Sequence, residues 1–225
     1  MNLDLLNDVI IYRNNYRNIK YNTRIENPDN CRLVIMNDGA CRRMNRIEGN
    51  ILNPRKLSIF NRNKIDLNEY TVFKVKGNYF DGTWGGNVQY LDRRLGNIQE
   101  KVFIQSTYSF QIYSPERAVM LISDNQEQYD VIYMNIKINL KIDNVIKNCI
   151  VKRLNELGFI DTQNEIVNIS KEAENIINET ILPAFGISLI NLNVILEESD
   201  DHYSFRKEHE WSKIKEKEVK DNGII

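Results

Sequence analysis

Alternating apolar and polar positions in the middle of the chain predict a series of β-strands. Two apolar runs, Tyr70–Val75 and Tyr79–Trp84, are separated by Lys76-Gly77-Asn78. Runs of β-branched and aromatic residues bounded by glycine and asparagine favour strands and tight reversals over helix. A longer alternating stretch, Asn97–Tyr113, predicts a strand with one mostly apolar face. That face holds Val102, Ile104, Ser106, Tyr108 and Phe110.

The N-terminal part of the chain carries the signal of a β-hairpin. Cys31–Met36 predicts one strand, Asn37-Asp38-Gly39 a tight turn, and Ala40–Met44 the returning strand. Asp and Gly suit such a turn because both tolerate positive φ. Leu3–Tyr12 fits either a helical face or a segment packed on the first sheet, and the second interpretation is favoured.

Helical spacing replaces strict alternation in the C-terminal half. Ser114 is a candidate cap for a short helix that starts at Pro115. Apolar residues at helical spacing predict a helix over Ile138–Leu157, which Gly158 ends. A second helix is expected to begin at Ser170.

The second helix is expected to stop at Pro183 and Gly186. Ile187–Leu196 then predicts a strand, and the charged residues 200–220 predict a solvated helix that needs a partner.

The order of these elements predicts an α+β fold. We expect an N-terminal antiparallel curved β-sheet with hairpins, then a packed helix pair, a returning strand and a short C-terminal helix. Three segments follow from this order: an N-terminal extension packed on the domain (1–30), the main domain (31–198) and a charged helical tail (199–225).

Several residues are expected to be structural anchors. Trp84 lies among glycines, which predicts a packed indole whose N–H needs a partner. Glycines favour sharp bends or close backbone approach. The expected anchors are Trp84, Gly85, Gly86, Asp38, Gly39 and Gly186.

Charge is unevenly distributed, although the net charge is only −1. Residues 1–64 carry twelve Lys and Arg against six Asp and Glu, a net +6, and residues 161–225 carry seven against fourteen, a net −7. Opposite ends of this kind can attract each other between neighbouring copies, and uneven surface composition explains the same numbers equally well.

The basic N-terminal third suggests a surface for self-assembly or for binding anions such as lipid head groups or nucleic acid. Without a nucleic-acid-binding module we do not expect nucleic acid as the partner. The candidate residues are Arg13, Arg17, Lys20, Arg24, Arg42, Arg43 and Arg46.

Patterns typical of catalysis are not found in the sequence. It contains no Walker loop, GxGxxG, GxSxG or HExxH pattern. His202 and His209 are the only histidines, and both are expected on the surface of the charged tail rather than in a metal site. We therefore expect no enzyme, no metal and no cofactor.

The remaining composition fits a cytoplasmic protein. Three cysteines, without a CxxC pair, indicate reduced thiols. No apolar run approaches the roughly 20 residues of a spanning helix. The first residues, with Asp4 and Asp8 inside an apolar stretch, do not resemble a signal peptide.

The order and spacing of several short motifs resemble the SPFH or band 7 superfamily (stomatin, prohibitin, flotillin and relatives). The nearest likeness is its soluble bacterial branch described as virion core protein-like. The likeness covers roughly Ile10–Glu198. It rests on Met36-Asn37-Asp38-Gly39, Glu48-Gly49, Tyr79-Phe80, Trp84-Gly85-Gly86, Asp92, Tyr108–Tyr113 with Pro115, and Phe185-Gly186-Ile187.

This resemblance implies a non-catalytic scaffold that forms homo-oligomers and acts at the cytoplasmic membrane periphery, in envelope stress or membrane organisation. It further implies recruitment to the bilayer by a membrane-protein partner. The chain departs from the family by stopping soon after Trp211, where many members continue into a long coiled coil, which favours a smaller or partner-dependent assembly over large closed rings. The alternative function is an anion-binding module that uses the basic N-terminal third.

Overall fold

The computed structural model describes residues 9–16, 23–24, 31–37, 40–43, 51–52, 70–122 and 126–221. Its architecture is α+β, as the sequence predicted. Within these residues the strands are β1 (Val9–Tyr16), β2 (Thr23–Arg24), β3 (Cys31–Asn37), β4 (Ala40–Arg43), β5 (Ile51–Leu52), β6 (Tyr70–Lys76), β7 (Tyr79–Asp92), β8 (Ile98–Ile112), β9 (Gln128–Asp130) and β10 (Ile187–Glu198). The helices are α1 (Pro115–Ala118), α2 (Val131–Asn164), α3 (Ile166–Ile176) and α4 (Asp200–Asp221).

The chain divides into two compact units, each built from separate stretches of sequence. Unit 1 comprises Met1–Gly82, Ser109–Lys141 and Asn178–Ile190, and unit 2 comprises Thr83–Tyr108, Ile142–Ile177 and Asn191–Ile225. Strand β1, inside the expected extension 1–30, belongs to unit 1. Helix α4, inside the expected tail, belongs to unit 2.

Unit 1 contains a five-stranded sheet in the order β4-β3-β6-β1-β9. Strand β6 pairs antiparallel with both β1 and β3, and β3 pairs antiparallel with β4. Asn37 pairs with Ala40, so β3 and β4 form a hairpin whose two connecting residues lie outside the described part of the chain. Val72 and Phe73 are successive residues of the central strand β6 and both are buried, so both faces of this sheet are covered at its centre.

The remaining described strands form two further sheets. Strands β2 and β5 form a two-stranded pair, and the remaining sheet has the order β10-β8-β7. The predicted apolar face of β8 is buried at all five positions, Val102, Ile104, Ser106, Tyr108 and Phe110, as its alternation indicated.

The helices differ from the sequence prediction at their ends. Helix α2 begins at Val131, and Gly158 interrupts it with φ 74° and ψ 177°, after which the chain resumes its helical course. Helix α3 begins at Ile166, so the prediction that Ser170 starts it was wrong. Ser170 is buried inside the helix, where its hydroxyl donates to the Ile166 carbonyl at 2.7 Å instead of capping a terminus.

The short helix α1 begins at Pro115, but the Ser114 side chain makes no capping hydrogen bond there. The predicted stop after α3 does occur: a π-helical turn and a 3-10 turn (Leu182–Phe185) end at Gly186, which is left-handed at φ 63°. Gly186 is therefore the point at which unit 1 turns from helix to strand β10.

Candidate functional site

Helix α4 carries the most exposed group of large apolar side chains in unit 2. Of the α4 side chains whose burial is described, residues 200–217, only that of His202 is completely buried, and most positions from 203 to 217 are exposed. Trp211 and Ile214 are 62% and 50% exposed. An amphipathic helix of this kind gains most of its stability from packing against another surface.

Three of these side chains share one side of the helix. At about 100° per residue, Ile214 lies about 20° and Trp211 about 80° from Tyr203 around the axis, whereas Phe205 lies on the opposite side. Lys207 and Arg206 both lie over the Tyr203 ring, 5.7 Å and 5.4 Å from its centroid. We call Tyr203, Trp211 and Ile214 the α4 stripe.

A buried polar cluster attaches the first turns of α4 to unit 2. His202 is completely buried, and its Nδ1 lies 2.7 Å from Oε1 of Glu198, although the N–H direction is not aligned for a hydrogen bond. On the other side of the ring, Nε2 lies 3.3 Å from the Tyr90 hydroxyl and 3.7 Å from Oδ2 of Asp92. We call Tyr90, Asp92, Glu198, His202 and Arg206 the His202 cluster.

The carboxylates of this cluster have further partners. Asp92 accepts hydrogen bonds from the backbone N–H groups of Arg94 (2.9 Å) and Leu95 (3.3 Å) and from the Tyr90 hydroxyl (3.3 Å). Glu198 accepts two hydrogen bonds from Arg206, each 2.9 Å long. Paired geometry of this kind is among the strongest charge-assisted contacts in proteins.

Two members of the cluster have shifted pKa values. Burial, reinforced by the Asp92 carboxylate, raises the pKa of Tyr90 well above its ordinary value. The hydrogen bonds to Glu198 raise the pKa of Arg206 further above its already high ordinary value. Both groups therefore keep their protons at neutral pH: Tyr90 as a neutral donor and Arg206 as a cation.

A cavity of about 250 Å³ lies beside the cluster, between α4 and the body of unit 2. Leu95, Phe159 and Ile160 give it an apolar wall, and Gly158 contributes backbone. A side chain at position 158 would crowd the polar part of the lining, because its Cβ would lie 3.3 Å from Cδ of Arg94. The remaining lining is polar: Asp92, Arg94, Arg206, His209, Glu210 and Lys213.

The sequence prediction for His202 was wrong, because the structure buries this residue rather than leaving it on the surface. Its partners Tyr90 and Asp92 are more than a hundred residues away in sequence, so no local pattern pointed to them. The one local signal was its four-residue spacing from both Glu198 and Arg206. Among the described residues, no group of three His, Cys, Asp or Glu side chains is arranged to hold a metal ion.

None of the expected structural anchors is a member of the His202 cluster. Trp84 is buried in unit 2, where its indole N–H donates to Oδ1 of Asp143 at 3.1 Å and Lys147 lies 5.9 Å from the ring centroid. A Cβ on Gly86 would meet the Trp84 ring at 3.0 Å, whereas one on Gly85 would make only ordinary contacts. Asp38 and Gly39 lie outside the described residues.

The candidate basic residues lie on separate strands where they are described. Arg13 is in β1 and lies over the Phe73 ring at 6.0 Å, while Arg42 and Arg43 are in β4. Strands β3 and β6 separate β1 from β4 in the sheet, which places the two strands about 14 Å apart. Arg24 is in β2; Arg17, Lys20 and Arg46 lie outside the described residues.

Unit 1 has an exposed apolar ridge of its own on helix α2. Ile132, Ile136 and Leu140 follow one another at four-residue spacing, and Leu140 is 72% exposed. Two lysines flank the ridge: Lys137 lies 5.1 Å from the Tyr133 ring centroid, and Lys141 lies 5.2 Å from that of Phe185. We call Ile132, Ile136 and Leu140 the α2 ridge.

Fold and site together define an α+β protein with a largely exposed C-terminal helix that is attached through a buried polar cluster. No protein-family model matches the chain, and no curated protein matches it. In the part of the chain that the structure describes, no helix has the length and apolar character needed to cross a membrane.

Proposed function

We propose that this chain is a non-catalytic scaffold protein that self-associates through α4 and acts at the periphery of the cytoplasmic membrane. The observation that carries this proposal is the exposed α4 stripe, Tyr203, Trp211 and Ile214. A helix of 22 residues is about 33 Å long and needs a partner surface to be stable along its length.

The charges beside the stripe favour a second copy of the same helix as that partner. Glu210 and Lys213 lie three residues apart on one flank of α4. Lys207 lies on the same side of the helix as the stripe and is closer to it than Lys213 is. In an antiparallel helix pair centred between residues 208 and 209, Lys207 of each copy faces Glu210 of the other while Tyr203 faces Ile214. The same patch then serves both subunits, as a two-fold symmetric interface requires.

The mass of the purified chain in solution, measured over a range of concentrations, tests self-association. We expect a discrete oligomer, and a Trp211→Ala, Ile214→Ser double variant should raise its dissociation constant at least about tenfold. Each lost side chain contributes roughly 1.5–3 kcal/mol of burial. Phe205→Ala is the matched control, because Phe205 lies on the other side of the helix and should leave association unchanged.

A wild-type chain that stays monomeric at every concentration would rule out the scaffold. Equal association of the wild type and the double variant would place the interface elsewhere.

The α2 ridge supports the membrane part of the proposal. The sequence from Val131 to Lys141 contains two lysines and no acidic residue, so the stretch of α2 that carries the ridge is basic. Apolar side chains flanked by lysines suit the boundary of an anionic bilayer, where the lysines meet the head groups. The proposed occupant of the ridge is therefore the surface of an anionic membrane.

Vesicle flotation tests this contact. The chain should float with vesicles that contain phosphatidylserine, float less with pure phosphatidylcholine, and lose binding as salt rises. Leu140→Asp and a Lys137→Glu, Lys141→Glu pair should both reduce flotation, while Val167→Asp on an exposed position of α3 should not. Undiminished binding by Leu140→Asp would exclude the α2 ridge as the membrane contact.

A further inference from the structure

We propose that His202 is a proton-dependent anchor: its protonated imidazole holds α4 on unit 2, and loss of that proton releases the helix. The proposal concerns the regulation of α4. It rests on the proposed function only for its consequence, namely that release of α4 would change how the stripe is presented to a second copy.

The charges of the His202 cluster balance only when the imidazole is protonated. Asp92 and Glu198 are two carboxylates in a nearly closed environment, and Arg206 supplies one positive charge. With a protonated His202 the four groups sum to zero, whereas with a neutral His202 they carry one net negative charge. Asp92 then has hydrogen-bond donors but no cation of its own within the cluster. Uncompensated buried charge destabilises a folded arrangement strongly.

The hydrogen-bond donors and acceptors around the ring also favour a protonated His202. Nδ1 lies so close to a Glu198 oxygen that it must carry a proton to avoid lone-pair repulsion. The single hydroxyl hydrogen of Tyr90 faces two acceptors at 3.3 Å, Oδ2 of Asp92 and Nε2 of a neutral ring. A second ring proton resolves this conflict, because Nε2–H then donates to Tyr90 while Tyr90 donates to Asp92.

Other groups around the ring do not substitute for this proton. Strand β7 contributes Tyr90 and Asp92, β10 contributes Glu198, and α4 contributes Arg206. From the second part of α2, Phe159 packs edge-on at 6.1 Å between ring centroids and carries no charge. Glu100 of β8 acts on Tyr90 and adds negative charge, which also favours the protonated ring.

Packing elsewhere along α4 is sparse enough for release. The cavity of about 250 Å³ separates Arg206, His209, Glu210 and Lys213 from the apolar wall formed by Leu95, Phe159 and Ile160. Where few apolar contacts hold an element, local opening requires little free energy. The His202 cluster is thus the main attachment of α4 among the described residues.

Amide hydrogen exchange tests the anchor, with the full chain diluted to its monomer so that self-association does not interfere. Between about pH 5 and about pH 8, the range in which histidines change charge, protection of residues 203–217 should fall about tenfold or more. Rates are corrected for intrinsic exchange, and peptides from β8 serve as the internal reference. The imidazole signal of His202, followed by NMR in the same samples, should change together with the loss of protection.

The chain offers a matched pair of variants because it has only two histidines. His202→Gln should remove the pH response and give the low protection of the wild type at high pH, whereas His209→Gln should keep the response. If His202→Gln does not fold, Tyr90→Phe replaces it, and the loss of protection should then move to lower pH together with the His202 signal.

A pH-independent wild type, or a response that survives in His202→Gln, would overturn the proposal. Loss of the pH response in His209→Gln would also overturn it. Self-association through the α4 stripe could still be found in each of these cases, so the anchor and the scaffold are tested independently.

Discussion

The two tryptophans of the chain stand in opposite environments. Trp84 is buried in unit 2 with its indole N–H bonded to Asp143, and Gly86 leaves just enough room beside its ring. Trp211 is exposed on α4. The same side chain therefore supports the fold at one position and is available for association at the other.

This contrast predicts unequal effects on stability. Trp84→Ala should lower the free energy of unfolding by about 3–5 kcal/mol, because it leaves a cavity in unit 2 and removes the hydrogen bond from the indole N–H to Asp143. Trp211→Ala, measured at a concentration where the chain is monomeric, should change it by less than about 0.5 kcal/mol. Chemical denaturation of both variants provides the comparison. A Trp84→Ala variant with an unchanged transition would contradict the packing described here.

Two buried tyrosines predict a loss of stability in alkaline solution. Burial raises the pKa of Tyr108, and burial together with Asp92 raises that of Tyr90. Because the folded chain holds these protons more tightly than the unfolded chain, their contribution is complete below about pH 10 and falls at higher pH. Urea denaturation at increasing pH should show this decline, and Tyr108→Phe should reduce its slope. An unchanged slope in that variant would assign the decline to other groups.

The turn from the last helical segment into β10 depends on Gly186. Its φ of 63° is left-handed, its carbonyl accepts from the N–H groups of Tyr113 and Ser114 at 2.9 Å and 3.0 Å, and a Cβ there would overlap the Ser114 carbonyl. Nearby, Asn178 fixes the start of β10 by exchanging two hydrogen bonds with the Leu189 backbone, 2.7 Å and 2.8 Å long. This junction therefore sets where the strand begins.

Gly186→Ala should destabilise unit 1 by more than about 1–2 kcal/mol, the backbone penalty alone, because the overlap with Ser114 adds to it. Gly85→Ala is the control, since a Cβ there meets nothing closer than 3.5 Å and φ is not positive. Thermal unfolding should show a lower melting temperature for Gly186→Ala than for Gly85→Ala. Equal melting temperatures of the two variants would mean that the junction at Gly186 can rearrange.

Some elements could be predicted from the sequence and others could not. The alternation in β8 predicted its buried residues correctly, and the spacing in α2 predicted a helix there, because the period of a strand or helix is a local property. The start of α3 was predicted wrongly at Ser170. Serine suits both a helix cap and, inside a helix, a hydrogen bond to the carbonyl four residues earlier. Only the packed structure decides between these two uses.

For the molecule as a whole, attraction between the oppositely charged residues 1–64 and 161–225 is the alternative to the α4 stripe as the basis of assembly, and the two differ in salt dependence. If these ends attract each other between copies, raising the salt from about 0.1 M to about 1 M shortens the screening length from roughly 10 Å to 3 Å and should dissociate the oligomer. The mass in solution at both salt concentrations measures this. Assembly that is indifferent to salt would instead assign the interface to the apolar α4 stripe.

The sequence by itself determined the α+β order of elements, the apolar face of β8 and the turn at Gly186. These follow from side-chain periodicity and from the backbone freedom of glycine, which act over a few residues. The sequence also identified the candidate basic residues. It did not show that two strands of the sheet separate Arg13 on β1 from Arg42 and Arg43 on β4.

Only the tertiary structure decided that His202 is buried between Glu198 on one side and Tyr90 and Asp92 on the other. A polar residue in a charged segment has no periodic signal, and its burial becomes favourable only when distant chain segments bring compensating partners. Tyr90 is 112 residues from His202, so that compensation exists only in the folded chain.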